Sequence, residues 1–463
     1  MSDKEVVALL SNTSLNRKRS STYKVDQTTS LTDAGENGTT KQRSYRNEAV
    51  RTDVSLAVSD IVVLLSASVC AHFLVMGFSY GLGVLYPEFV RVYGSERTLA
   101  ALVQSLYLSL NISGGGLWNA PVQRFGVSAC AMCGGLLVAV GVAINSLFTN
   151  IWVAIVSIGI VSGLGASIIN IAPFLILNKL SWKNKSNVMP IIPIGSSLGS
   201  FSYSYISEQL LQNYGLQGTQ LILSAVLLNM LPLSLIWYYT ERRITTSRQS
   251  DIHTTSLFSQ KICTEWRFHL ISLNLALTSI AVFVEPKFIV DLMVQKGYER
   301  ETGSNFVAYN GILNACGRTL GVLLKCCMPG HSSYVMSVSM LVNAVSHALV
   351  IFVGTYPGMM AGVMLAGLSH GVMVSRIAVI AYEVFDPQLY AAALVGFNIT
   401  GGLSGILGGY VGGLVNDLTG TYNIIFLIAI VCSLVNTVSF FVVGVSKTKH
   451  CTRHEAQYER LPD

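Results

Sequence analysis

From Ile61 onward the chain is a succession of apolar runs of about 20 residues, the length an α-helix needs to cross the hydrocarbon core of a bilayer. Twelve such runs can be marked, at 61–86, 98–117, 127–147, 152–177, 188–211, 219–239, 267–294, 302–327, 333–353, 358–383, 391–414 and 421–445. Strands of a membrane barrel would be half as long and would alternate in polarity, so the pattern predicts helices. Composition points the same way: 51% of the 463 residues are hydrophobic and 12% charged, against roughly 25% charged in a soluble domain. A mean hydropathy of +0.53 over such a length is more apolar surface than a water-facing protein buries. The lipid bilayer is therefore the expected solvent. The net charge of +6 forms no basic patch, which excludes nucleic acid as a partner. Cysteines such as Cys130, Cys133, Cys316, Cys326 and Cys432 sit inside apolar runs with no metal-site spacing, and read as small packing residues.

The runs fall into two equal sets. Residues 1–60 are polar, contain no apolar core of the kind a cleaved signal carries, and read as a disordered tail. Residues 61–239 and 267–445 each hold six runs, separated by a polar insert at 240–266 and followed by a short tail at 446–463. The expected fold is an all-α membrane protein with twelve transmembrane helices in two six-helix bundles. Orientation follows from the basic residues: 23 lie on the side shared by both tails and the insert, against 5 on the other. That bias places both termini and the insert in the cytoplasm. The glycosylation tripeptides at Asn12, Asn37 and Asn184 all fall on that side and are expected to be unmodified.

No catalytic constellation is visible. HExxH, a Walker loop, and a GxSxG with triad partners are absent, so neither a metal, nor a cofactor, nor nucleotide-driven pumping is expected. What remains is a small set of polar residues at membrane depth, where ionisable groups are expensive and mark substrate pathways. Arg318 has no nearby acid in sequence, and its planar fork suits a carboxylate. Asn314 lies one turn before it on the same face. Glu285 and Lys287 flank Pro286 and are read as lining an outer vestibule. Arg376 and Glu383 share a face near the cytoplasmic end of the tenth helix, where snorkelling competes with a role in the pathway. Among His72, His347 and His370, His72 is the best candidate for a relay, because its helix runs on into GFSYGLG. In that stretch Tyr80 and Phe78 offer ring surface to an organic substrate.

Several stretches resemble the monocarboxylate transporters, a branch of the major facilitator carriers. HFLVMGFSYGLGVLYPEFVRVYG is similar to their first helix, and KNKSNVMPIIPIGSSLGSF with LLQNYGLQGTQLILSAVLLN to their fifth and sixth. GLSGILGGYVGGLVNDLTGTYNIIF resembles the last two helices through the spacing of Asp417, Thr419, Gly420, Tyr422 and Phe426. The resemblance spans 60–445 and implies two bundles rocking about a midplane site. It also implies a small organic acid as substrate and, for some members, a single-span chaperone subunit. The chain departs from the family at instructive points. The family's first-helix lysine falls at Val84, its eighth-helix acid and arginine become Asn314 and Arg318, and the loop NAPVQRFGVSA keeps Arg124 without an acidic neighbour.

The expected function is alternating-access secondary transport of monocarboxylates or related organic acids, with proton linkage left open. The alternatives are a facilitated carrier of aromatic amino acids or hormone-like acids without proton coupling, and a non-transporting sensor or scaffold of the same fold. The resemblance favours the plasma membrane. An acidic dileucine pattern at Glu5, Leu9 and Leu10, with a tyrosine-based one at Tyr458–Leu461, makes endosomes or lysosomes the alternative.

Overall fold

The computed structural model describes residues 58–179, 189–246, 260–328, 330–385 and 389–458. The tail motif at Glu5–Leu10, the end of the Tyr458–Leu461 pattern, the tripeptides at Asn12, Asn37 and Asn184, and residues 247–259 of the central insert lie outside the described residues. Within them every regular element is helical. The twelve membrane helices are α1 (Val58–Tyr93), α2 (Arg97–Ser113), α3 (Val127–Ser146), α4 (151–179), α5 (194–214), α6 (216–246), α7 (Trp266–Gln295), α8 (Arg300–Cys327), α9 (332–353), α10 (Tyr356–Val384), α11 (Tyr390–Thr419) and α12 (Asn423–Tyr458).

Nine helices among the described residues are long and apolar enough to cross a membrane by length and composition alone. Two physical causes account for the difference from twelve apolar runs. The span Ile194–Arg242 is 49 residues long and contains two crossings that fold back at Gly215, whose φ of +64° is a conformation few residues but glycine adopt. The helices α2 and α8 do not qualify by themselves. Seventeen residues of α2 are continued by a 3-10 turn, Gly114–Trp118, and α8 is long but carries Arg300, Asn310, Asn314 and Arg318. An interior helix can be polar because its neighbours shield it from lipid.

The helices form two bundles, α1–α6 and α7–α12. Lipid-facing positions are apolar, among them Val62, Trp152, Leu221, Val338, Leu407, Val431 and Val438, each more than half exposed. Where the bundles meet, glycines replace side chains. A Cβ on Gly83 of α1 would lie 2.3 Å from the Pro286 carbonyl of α7, and one on Gly409 of α11 would lie 1.7 Å from Ser105 Oγ of α2. Gly311 of α8 is pressed on the α5 backbone in the same way, at 2.7 Å from Phe201 N. Close backbone approach supplies the van der Waals contact that drives helix association in lipid.

The polar ties between the bundles cluster at one end, here called the Gly94 end after the turn between α1 and α2. Arg300 of α8 reaches across to Glu88 of α1 and, at 2.8 Å, to Glu208 of α5. Arg97 of α2 donates to Asp291 of α7 at 2.8 Å, and Asp291 also accepts from Tyr422 at 2.6 Å. Asp417 of α11 caps α2, accepting from Arg97 N at 3.0 Å, Thr98 N at 2.8 Å and Thr98 Oγ1. At the opposite end, where the central linker joins, the described ties stay within a bundle. Glu241 of α6 accepts from Val127 N, Ser128 N and Ser128 Oγ and so caps α3. This supplies, from another helix, the acid that the loop around Arg124 lacks in sequence.

Candidate functional site

Arg318 sits on α8 about two thirds of the way from the Gly94 end, on the face turned to α5 and α10. Only 7% of the residue is exposed. Its Nε donates to Asn314 Oδ1 at 2.8 Å, and Ser197 of α5 donates to the same oxygen at 2.7 Å. One amide oxygen thus ties the arginine to both bundles. The two terminal guanidinium nitrogens have no hydrogen-bond or ionic partner among the described residues, and they are not among the atoms sealed from accessible space. The fork is held by its stem and left open at its tip. Gly317 and Gly371 make this packing possible, since a Cβ on Gly371 of α10 would lie 2.2 Å from the Asn314 carbonyl.

Around that fork the structure gathers residues from α1 and α10. Tyr80 and His72 of α1 and His370 of α10 all lie within electrostatic range of the Arg318 charge. His72 Nδ1 is 3.2 Å from Ser68 O, and its ring stands edge-on to Phe174. His370 stands edge-on to Phe283. His347 is elsewhere, with its Nδ1 2.8 Å from Asn343 O and its Nε2 3.0 Å from Ala281 O.

Three expectations from sequence are corrected by placement. Glu285 and Lys287 do not line a vestibule: they are 2% and 3% exposed inside α7, because α8 packs over one and α11 over the other. They also point apart, as residues two positions apart on a helix must. Glu285 Oε2 accepts from Asn310 of α8 at 2.7 Å, whereas Lys287 Nζ donates to Gly405 O of α11 at 2.9 Å. Arg376 does not snorkel. It is fully buried, with Nη1 3.4 Å from Ser332 Oγ, and Ser332 in turn donates to Glu383 at 2.7 Å, so this pair braces α9 against α10. Phe78 offers no open ring surface, being fully buried and edge-on to Tyr107 and Tyr203 in the α1–α2–α5 core.

Sequence reasoning missed Ser197 and Asn310, which are ordinary polar residues until the fold sets them against Asn314 and Glu285. It also counted Arg97 and Arg300 as loop charges, although each reaches across to the opposite bundle. The only available signal was the Asp417-to-Phe426 spacing. Asp417 caps α2 and Tyr422 binds Asp291, both at the Gly94 end, while Phe426 packs on His347.

Comparison with known proteins agrees with this architecture. Monocarboxylate transporter 4 of Gallus gallus is 24% identical over 371 residues, covering 77% of this chain and 78% of that protein. Monocarboxylate transporter 9 of Gallus gallus is 32% identical over 169 residues, covering 36% of this chain and 33% of that protein. Among solved structures, a variant of the nucleoside transporter NupG superposes with a TM-score of 0.62 at 15% identity, covering 82% of this chain and 99% of that one, a likeness of fold. The Major Facilitator Superfamily sequence profile matches residues 68–325, more than half of the chain. This protein, a multi-pass membrane transporter and not an enzyme, belongs to the Major Facilitator Superfamily.

Proposed function

We propose that the chain carries small organic monocarboxylates by alternating access, with Arg318 as the group that takes the substrate carboxylate. The observation that carries this reading is the open guanidinium tip: a charge held at membrane depth between the bundles, its stem fixed by Asn314 and its terminal nitrogens without a partner among the described residues. A carboxylate fits that fork with two parallel hydrogen bonds, and an unpaired charge at this depth is otherwise costly. The names of the relatives support the same substrate class. The basic residues put the linker end in the cytoplasm, so the clasped Gly94 end faces outside and the conformation described here is closed outward. We place the protein in the plasma membrane, with endolysosomal cycling as the alternative.

Proton linkage, in this reading, does not run through the family's usual pair. Val84 is fully buried and apolar, and Asn314 accepts hydrogen bonds without titrating. Uptake of labelled acids into proteoliposomes tests the assignment directly. Carboxylates are expected to enter and to compete with one another, and their matched amides are expected to be excluded. Equal handling of acid and amide would remove Arg318 from this role.

A further inference from the structure

The carboxylate reading leaves one buried charge unused. Glu285 is 2% exposed; its Oε2 accepts from Asn310, but its Oε1 has no hydrogen-bond partner and is sealed from accessible space. A carboxyl oxygen left unpaired at membrane depth is unfavourable. Every charged or titratable neighbour leaves it so. Lys287, on the same helix, is engaged with Gly405 O and lies over the Phe283 ring. Arg318 of α8 is held at Asn314, His370 of α10 packs on Phe283, and the Tyr80 hydroxyl of α1 lies in electrostatic range of both Glu285 and Arg318 without bonding either.

Asn310 marks the level of Glu285, and Asn314 marks the level to which the Arg318 side chain bends back. The two asparagines are one turn apart on α8, and each holds one of the two charged groups. A plain carboxylate would satisfy Arg318 and leave Glu285 as it is. A plain amine would do the reverse. One small molecule with an ammonium group a few carbons from a carboxylate satisfies both, with charge-assisted contacts of about 2.8 Å at each end.

We infer that the central site has a second, anionic pole at Glu285, and that its substrates are amino acids or related zwitterions whose amine pairs with Glu285 while the carboxylate pairs with Arg318. This rests on the assignment of Arg318 as the carboxylate site. Tyr80, in electrostatic range of both poles, then flanks the substrate.

The test is uptake into proteoliposomes of matched acids with and without an amine, such as alanine against propionate and 4-aminobutyrate against butyrate. In the unmodified protein the aminated member of at least one pair is expected to be preferred about tenfold or more, because a site built for a polar group rejects the analogue that leaves it unpaired. Glu285→Gln, which keeps the shape and the acceptor for Asn310, should reduce that preference to under about twofold while the unaminated acid still enters. Arg318→Lys should lower both members together. If the unmodified protein takes propionate and butyrate as well as their aminated partners, the inference fails, and the carboxylate assignment stands. It fails equally if Glu285→Gln abolishes a pH dependence of uptake without touching an amine preference, since Glu285 would then carry a proton. If neither member of any pair is transported, or Arg318→Lys transports normally, the carboxylate assignment itself falls. The comparison within the unmodified protein decides the matter even if Glu285→Gln does not fold.

Discussion

Arg318 and Arg376 are both arginines buried at membrane depth, and they differ in what their nitrogens find. Arg376 is braced beside Ser332 and Glu383 inside one bundle, while the terminal nitrogens of Arg318 face open space at the seam between two. The contrast predicts different losses. Arg318→Lys keeps the charge but not the fork, so initial uptake should fall about tenfold or more with the amount of folded protein unchanged. Arg376→Lys should instead lower the yield and thermal stability of the purified protein, with uptake per folded molecule little altered; detergent melting curves beside uptake separate the two. Sequence could name both arginines and set Arg318 deeper, but could not give the partners of either. The difference lies in Ser332 and Glu383 on one side and in Ser197 on the other, partners that are 44, 7 and 121 positions away along the chain. The same limit displaced Glu285 and Lys287, because the course of α7 is set by its packing against Gly83 of α1 and Gly412 of α11, and apolar periodicity does not encode it.

At the scale of helices, what could be read in advance was number, order and length, because the cost of exposing backbone to lipid leaves few alternatives. Crossings were not readable. The glycine-dense stretches holding Gly83 and Gly409 could be read as places where helices touch, but not which helix each one meets, and Gly311 lies in no such stretch; the structure sets all three against the backbone or side chain of the other bundle. They make a specific prediction, because only the contacts that join the bundles must slide during a transport cycle. Gly83→Val would drive a side chain into the Pro286 carbonyl and hold α1 away from α7. Such a variant should still insert and bind, since each bundle is intact, but it should fail to close the Gly94 end. Crosslinking between cysteines placed at Glu88 and Arg300 would show this as a loss of disulfide yield relative to the same pair with Gly83 retained. By contrast Gly116, where an added Cβ meets nothing within 4 Å, should accept alanine without change in either yield or uptake.

For the whole molecule, the distribution of polar ties decides which way the site is open. Arg300 with Glu88 and Glu208, Arg97 with Asp291, and Asp417 on the α2 N-terminus all join α1–α6 to α7–α12, and all lie at the Gly94 end. Ser197 with Asn314 is a tie at mid-depth. The described ties at the linker end, Glu241 on α3 and Glu383 on Ser332, each stay within their own bundle. A carrier must break the first set to open toward the Gly94 side, so those ties set the balance between its two faces. Removing the Arg300 side chain takes away the cation that ties Glu88 and Glu208, both in α1–α6, to α8; Glu88 keeps Arg91 of its own helix, and what the clasped state loses is the pairing across the bundles. Arg300→Ala should therefore shift the population toward the form open at the Gly94 end. A cysteine replacing Ser304, a residue 1% exposed on α8 just inside the clasp, reports this shift in a background freed of the nine native cysteines. With a charged, membrane-impermeant thiol reagent added outside intact cells, its labelling rate should rise about tenfold or more on Arg300→Ala, each factor of ten corresponding to about 1.4 kcal/mol. The same experiment examines orientation, since the reagent reaches the Gly94 end from outside only if both termini are cytoplasmic. Faster labelling that occurs only after permeabilisation would keep the clasp and invert the topology; an unchanged rate from either side would show that Arg300 does not hold the bundles together.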